Sequence, residues 1–164
     1  MNSKVKNFIN YLVEKKSEVK DLEAKDALLA KVVLDIHRKR THSDFKLVPL
    51  FDLKQIHAID RENAISSTQN RIEQLESNKN TLLKQQSLTG TVLSEYLPSI
   101  SAIKVIKEKE NSYIAFEGNG RLVALQTVFD PSDEIQVEVE EYHFKNQVKI
   151  VRRMNRVRKM NKLI

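Results

Sequence analysis

The chain has 164 residues, enough for one domain with a real core and too few for two full ones. It has no cysteine, which excludes disulfides, thiolate metal sites and cysteine nucleophiles. The net charge of +6 is not spread evenly: residues 145–164 hold eight basic and no acidic side chains, and the rest holds 20 basic and 22 acidic ones. No apolar run approaches the roughly 20 residues of a membrane helix, and the most apolar helical stretch, 27–36, is broken by Lys31 and Asp35. The N-terminus lacks the apolar core and small-residue cleavage site of a secretion signal. A cytoplasmic protein with no membrane partner is the expectation.

Taken in chain order, Ser3 to Lys16 predicts an amphipathic helix, with Val5, Phe8, Ile9, Leu12 and Val13 at three- and four-residue spacing. Asp21 to Lys39 predicts a second, making an N-terminal helical hairpin (1–45) packed on the core. Thr41 to Asp44 reads as a polar break. Lys46 to Phe51 is a strand, placed at an edge because Pro49 lacks an amide donor. Asp52 to Ile56 reads as a helical turn capped by Asp52. Asp60 to Gln86 predicts one or two surface helices with Ile65, Ile72, Leu75, Leu82 and Leu83 inward. Thr89 to Thr91 ends that segment, and 93–97 forms a further turn.

Ser101 to Lys107 and Ser112 to Phe116 predict a hairpin across the polar turn 108–111. Glu117-Gly118-Asn119-Gly120-Arg121 follows, and 122–126 reads as helix. Asp130 to Asp133 is a turn. Ile135 to Glu141 alternates strictly, as a half-buried strand does. Asn146 to Leu163 is a basic helix with Ile150, Met154, Val157, Met160 and Ile164 on one side. The expected fold is therefore α+β: a small mixed sheet, a core over 46–145 and a basic C-terminal helix over 146–164, as one compact unit.

The chain has three glycines, and two of them, Gly118 and Gly120, lie between a strand and a helix. Glycine permits positive φ and close backbone approach, and the amides at a helix N-terminus attract anions. Arg121, in the first helical turn, opposes the helix dipole unless an anion compensates, and its fork of donors matches phosphate. The alternative reading of the same residues is a tight turn whose arginine pairs with Glu117 or another carboxylate.

Ser101 to Gln126 resembles the core of the ParB/sulfiredoxin superfamily: Ile-Lys-Val, then Tyr-Ile-Ala-Phe, then Glu-Gly-Asn-Gly-Arg, then Leu-Val-Ala-Leu. Leu47 to Leu53 resembles the family's first strand, so that the likeness spans roughly 46–142. The resemblance implies that Gly118 and Arg121 grip nucleotide phosphates, with Asn119 and Gly120 in the same turn. It also implies a nucleotide ligand such as ATP or CTP, a phosphoryl-transfer or nuclease-like reaction, and Glu117 as base or ligand of a divalent metal. Departures are specific. Asn119 stands where sulfiredoxins have their catalytic cysteine. Asn119-Gly120-Arg121 replaces the Glu-Arg-Arg of CTP-hydrolysing partition proteins, and no helix-turn-helix domain follows.

The turn also resembles the Fic motif His-x-Phe-x-(Asp/Glu)-Gly-Asn-Gly-Arg. Tyr113 replaces its histidine, however, which removes the general base. The second functional expectation is a non-catalytic nucleic-acid-binding module using Arg152, Arg153, Arg156 and Lys159. A third is an interaction domain that keeps the fold without the ligand. His37, His42, His57 and His143 show no metal-ligand spacing, and no metal-binding residues are assigned.

Overall fold

A computed structural model describes residues 20–99 and 101–164. The expected helix at Ser3 to Lys16, and with it the first arm of the helical hairpin, lies outside the described residues. The first described element is helix α1 (Lys20–Lys39), followed by β1 (Arg40–Pro49), a 3-10 turn (Leu50–Asp52) and β2 (Leu53–Gln55). Helices α2 (Glu62–Ser77) and α3 (Lys79–Gln85), the short β3 (Ser87–Leu88) and α4 (Gly90–Tyr96) come next. Then follow β4 (Ile103–Lys109), β5 (Ser112–Glu117), α5 (Asn119–Val128), a 3-10 turn (Pro131–Asp133), β6 (Gln136–Phe144) and α6 (Gln147–Met160). The α+β class expected from the sequence is the observed one.

The six strands form one mixed sheet in the order β1-β6-β4-β5-β2, with β3 alongside β6. The β1/β6 and β4/β5 pairs are antiparallel, and the β4/β6, β2/β5 and β3/β6 pairs are parallel. Alternation along the strands sends side chains to two cores. Val105, Tyr113, Ala115, Val137 and Val139 pack under α2 to α5. Ile106, Ile114, Phe116 and Tyr142 pack under α1 and α6, with Val32, Ile36, Ile150, Met154 and Val157. β5 is buried on both faces, as befits a strand covered by helices on each side.

The strand at 46–51 does lie at the sheet edge, but it starts at Arg40, so that the expected break at Thr41 to Asp44 is strand instead. Cross-strand polar pairs hold it there: Asp44 with His143 at 2.5 Å, Ser43 with Glu140 at 2.7 Å, and His42 stacked on His143 at 4.4 Å. Its exposed polar residues show no hydrophobic alternation, so no local signal marks it as strand. The expected helical turn at 52–56 is also corrected. Leu53–Gln55 pairs in parallel with Tyr113–Ala115, a partner found only through the tertiary fold. Gln126 of α5 adds donors to the carbonyls of Leu50 and Leu53.

Asp60 to Gln86 is two helices, with Leu75 and Leu82 buried and Ile72 and Leu83 packed at the core margin. Ile65 is not inward, being 44% exposed on α2. Thr89 does not end the preceding helix but caps α4, its hydroxyl accepting from Val92 N.

The C-terminal helix buries Ile150, Met154 and Val157 as its periodicity predicts, whereas Met160 and Ile164 stay exposed. It also buries one cation. Arg158 donates from Nε to Gln55 O at 2.9 Å and from Nη1 to Asn155 Oδ1 at 3.1 Å. Asn161 accepts from Ala58 N, fastening the end of α6 to the segment after β2.

Candidate functional site

The end of β5 turns into α5 through Gly118, whose φ of +88° lies in the left-handed region. A Cβ there would meet Arg121 Nη2 at 2.9 Å and Ile103 Cγ1 at 3.0 Å, so glycine is needed for both conformation and space. The first intrahelical bond runs from Leu122 N to Gly118 O. The amides of Asn119, Gly120 and Arg121 precede it and have no partner within the helix.

Asn119 has a structural role. Its buried side chain accepts from Ile56 N at 2.9 Å and donates to Ala115 O at 3.0 Å, tying the end of β2 to β5 beneath the turn. Asn119→Ala leaves both backbone groups without their partner and is expected to cost on the order of 2 kcal/mol. A lowered urea midpoint with an unchanged m-value checks this.

Arg121 is only 8% exposed and forms no ion pair among the described residues. Its Nη1 donates to Ser101 O at 2.7 Å and its Nη2 to Ala102 O at 3.4 Å. Two of its five donors are thus engaged by neutral carbonyls. Burial, and after it the charge of nearby Arg71, push the guanidinium pKa down, with Glu117 opposing. The side chain remains a cation at neutral pH, so two positive charges lie close together at the helix N-terminus.

Arg71 comes from α2, which packs along α5. Asn63, Ser67 and Arg71 recur at four-residue intervals on that helix, and Thr68 lies between them on the same side. With His57, Ile59, Ala64, Ser99 and the Gly118–Arg121 turn, they wall a cavity of about 420 Å³. No carboxylate is among these lining residues. Thr68 is 5% exposed, and its Oγ1 has no hydrogen-bond partner among the described residues. Gly120 makes the junction: a Cβ there would fall 2.7 Å from Arg71 Nη1 and 3.3 Å from Thr68 Oγ1.

Glu117 does not line this cavity. Its carboxylate accepts from His37 Nε2 at 2.9 Å and from Lys104 Nζ at 2.8 Å. Burial alone would raise its pKa, but the bonds from Lys104 and His37 prevail and hold it below the usual carboxylate range. Gly118, Asn119, Gly120 and Arg121 therefore meet in one place, and Glu117 is engaged elsewhere.

The basic residues of α6 are divided in a similar way. Arg153 pairs with Asp35 of α1 at 2.6 Å, while Arg152, Arg156 and Lys159 are exposed. Among the described residues, Asp44, Glu141 and His143 are close enough to share a metal ion. Lys46 Nζ already lies 2.6 Å from Glu141 Oε2, which places a cation on that carboxylate. The cluster sits on the β1/β6 pair, and none of its members lines the arginine cavity. No helix of the described residues is long and apolar enough to cross a membrane.

Comparison with protein families, curated proteins and solved structures finds no match to this chain.

The turn is marked in the amino-acid sequence, but its opposite wall is not. Arg71, Thr68, Ser67 and Asn63 sit in a helix whose polar composition reads as solvent-facing. The available signal was the four-residue spacing of Asn63, Ser67 and Arg71, which marks one face of a helix without saying what that face covers.

Proposed function

We propose that this protein binds a phosphate-bearing ligand, with a nucleotide the first class to test, at the N-terminus of α5. The observation that carries this reading is the convergence of Arg71 and Arg121 on a helix N-terminus, in a cavity that no carboxylate of the described residues lines. Uncompensated cations and unsatisfied buried polar groups are costly in a folded protein. A phosphate would relieve both, accepting from the helix amides and the guanidinium groups. The resemblance of Ser101 to Gln126 to the ParB/sulfiredoxin core, where such a turn cradles phosphates, points the same way.

Titration calorimetry of inorganic phosphate, ATP and CTP into wild type and Arg71→Ala tests it. Arg71 makes no hydrogen bond to the protein among the described residues, so its removal should leave the fold intact. A charge-assisted contact is worth roughly 1.5–3 kcal/mol, so Arg71→Ala should bind at least tenfold more weakly. Equal affinity in the two proteins would overturn the reading. Arg121→Ala is a poorer probe, since it also releases the carbonyls of Ser101 and Ala102.

The second reading is nucleic-acid binding through α6, favoured by the exposure of Arg152, Arg156 and Lys159 on one helix. Binding of a short DNA duplex that falls steeply with salt and ignores Arg71→Ala would support it.

A further inference from the structure

A second cavity shares two lining residues with the first. It has a volume of about 590 Å³ and lies between α1 and the segment leading into α2. Its apolar wall is aliphatic: Leu29, Ala30, Val33 and Leu34 from α1, with Ala58 and Ala64 opposite. His57 and Ala64 line both cavities. His57 Nδ1 donates to Ala58 O at 2.9 Å, which fixes the ring.

The charged side chains of the second chamber are paired with one another. Lys25 pairs with Asp60, and Arg61 with Asp26, joining α1 to the opposite wall. Asn161 accepts from Ala58 N and donates to Val157 O. A nucleobase placed there would find no aromatic ring to stack on other than His57, and its polar edge would meet side chains already held in ion pairs. A flexible hydrocarbon needs none of these and gains from leaving water. The two compartments therefore differ in the chemistry they suit, cationic at α5 and aliphatic at α1.

We propose that the ligand is an organic phosphate carrying an extended aliphatic group, its phosphate at Arg71 and Arg121 and its chain along Leu29, Ala30 and Val33. This rests on the phosphate reading of the α5 cavity and adds the class of molecule.

The test is calorimetric titration of the full chain with inorganic phosphate, butyl phosphate, octyl phosphate below its micelle concentration, and AMP. Affinity should rise two- to fourfold for each added methylene between butyl and octyl phosphate, up to the full burial of a CH₂ group. Ala30→Trp, which fills the chamber, should erase that rise and leave inorganic phosphate unaffected. Ala30→Leu, which fills less of the chamber, should flatten the rise in part and serves as the test where Ala30→Trp fails to fold. Equal affinity for butyl and octyl phosphate overturns the inference and leaves the phosphate site standing. AMP binding more tightly than octyl phosphate overturns it in favour of base recognition, and a chain-length gain that survives both Ala30 variants overturns it as adventitious. If inorganic phosphate and every ester fail to bind, the phosphate reading itself is wrong.

Discussion

Gly120→Ala is expected to abolish phosphate binding, by a hundredfold or more, in a protein at least as stable as wild type. The new methyl would fall 2.7 Å from Arg71 Nη1 and 3.3 Å from Thr68 Oγ1, inside contact distance for both. The clash is with the far end of a flexible arginine, which can swing away at little cost. Alanine is also a better helix former than glycine by up to about 1 kcal/mol. Folding therefore loses only the small shift that buried Thr68 must make, which the helix gain offsets, while the ligand site loses the arginine's position. Measuring the urea midpoint and the phosphate affinity on the same samples separates the two effects. Full affinity in a stable Gly120→Ala protein would mean that the anion does not sit over the start of α5.

Glu108→Gln is expected to cost about 3 kcal/mol at pH 7, and the cost should vanish as the pH approaches 2. Glu108 Oε1 accepts from Asn155 of α6 at 3.0 Å, and Oε2 accepts from Ser112 of β5 at 2.7 Å and Lys54 of β2 at 3.0 Å. One carboxylate thus joins a helix and two strands to β4. Burial would raise its pKa, but the bonds from Asn155, Ser112 and Lys54 prevail and hold it at about 2, against an ordinary value of 4.5. That difference corresponds to roughly 3 kcal/mol. Because the folded-state pKa is depressed, the stabilisation is complete above pH 4.5 and is lost as pH falls toward 2. Other depressed carboxylates, Glu117 among them, contribute to acid unfolding in both proteins. The quantity to follow is therefore the difference between wild type and Glu108→Gln across that range. A difference that stays constant with pH would show that Glu108 acts through packing and not through its charge.

The two effects sit at opposite ends of β5. Glu108 and Ser112 anchor its start through the β4/β5 turn, and Asn119 fastens its end to β2. Between them the strand is buried on both faces, so that it delivers the Gly118 turn to a fixed position. This is the arrangement expected of a binding turn carried on a rigid element rather than on a loose loop.

Much of this framework is local and was legible in the amino-acid sequence. The alternation Ile135-Val137-Val139, the hairpin at 103–117, the glycine pair before a helix, and the periodic Ile150, Met154 and Val157 all follow from side-chain spacing, which depends only on neighbours along the chain. The polar half of β1, the strand nature of Leu53–Gln55 and the burial of Arg158 do not. Each is fixed by a partner far away in sequence: β6 for Arg40–Asp44, β5 for Leu53, and the carbonyl of Gln55 for Arg158. The same division runs through the candidate site. Gly118, Gly120 and Arg121 are announced by their own spacing, because a strand-to-helix turn has local rules. Arg71 and Thr68 joined them only when α2 packed along α5, and Glu117 left them when His37 and Lys104 claimed its carboxylate. Helical periodicity says which residues share a face. Which other element that face covers is settled by packing.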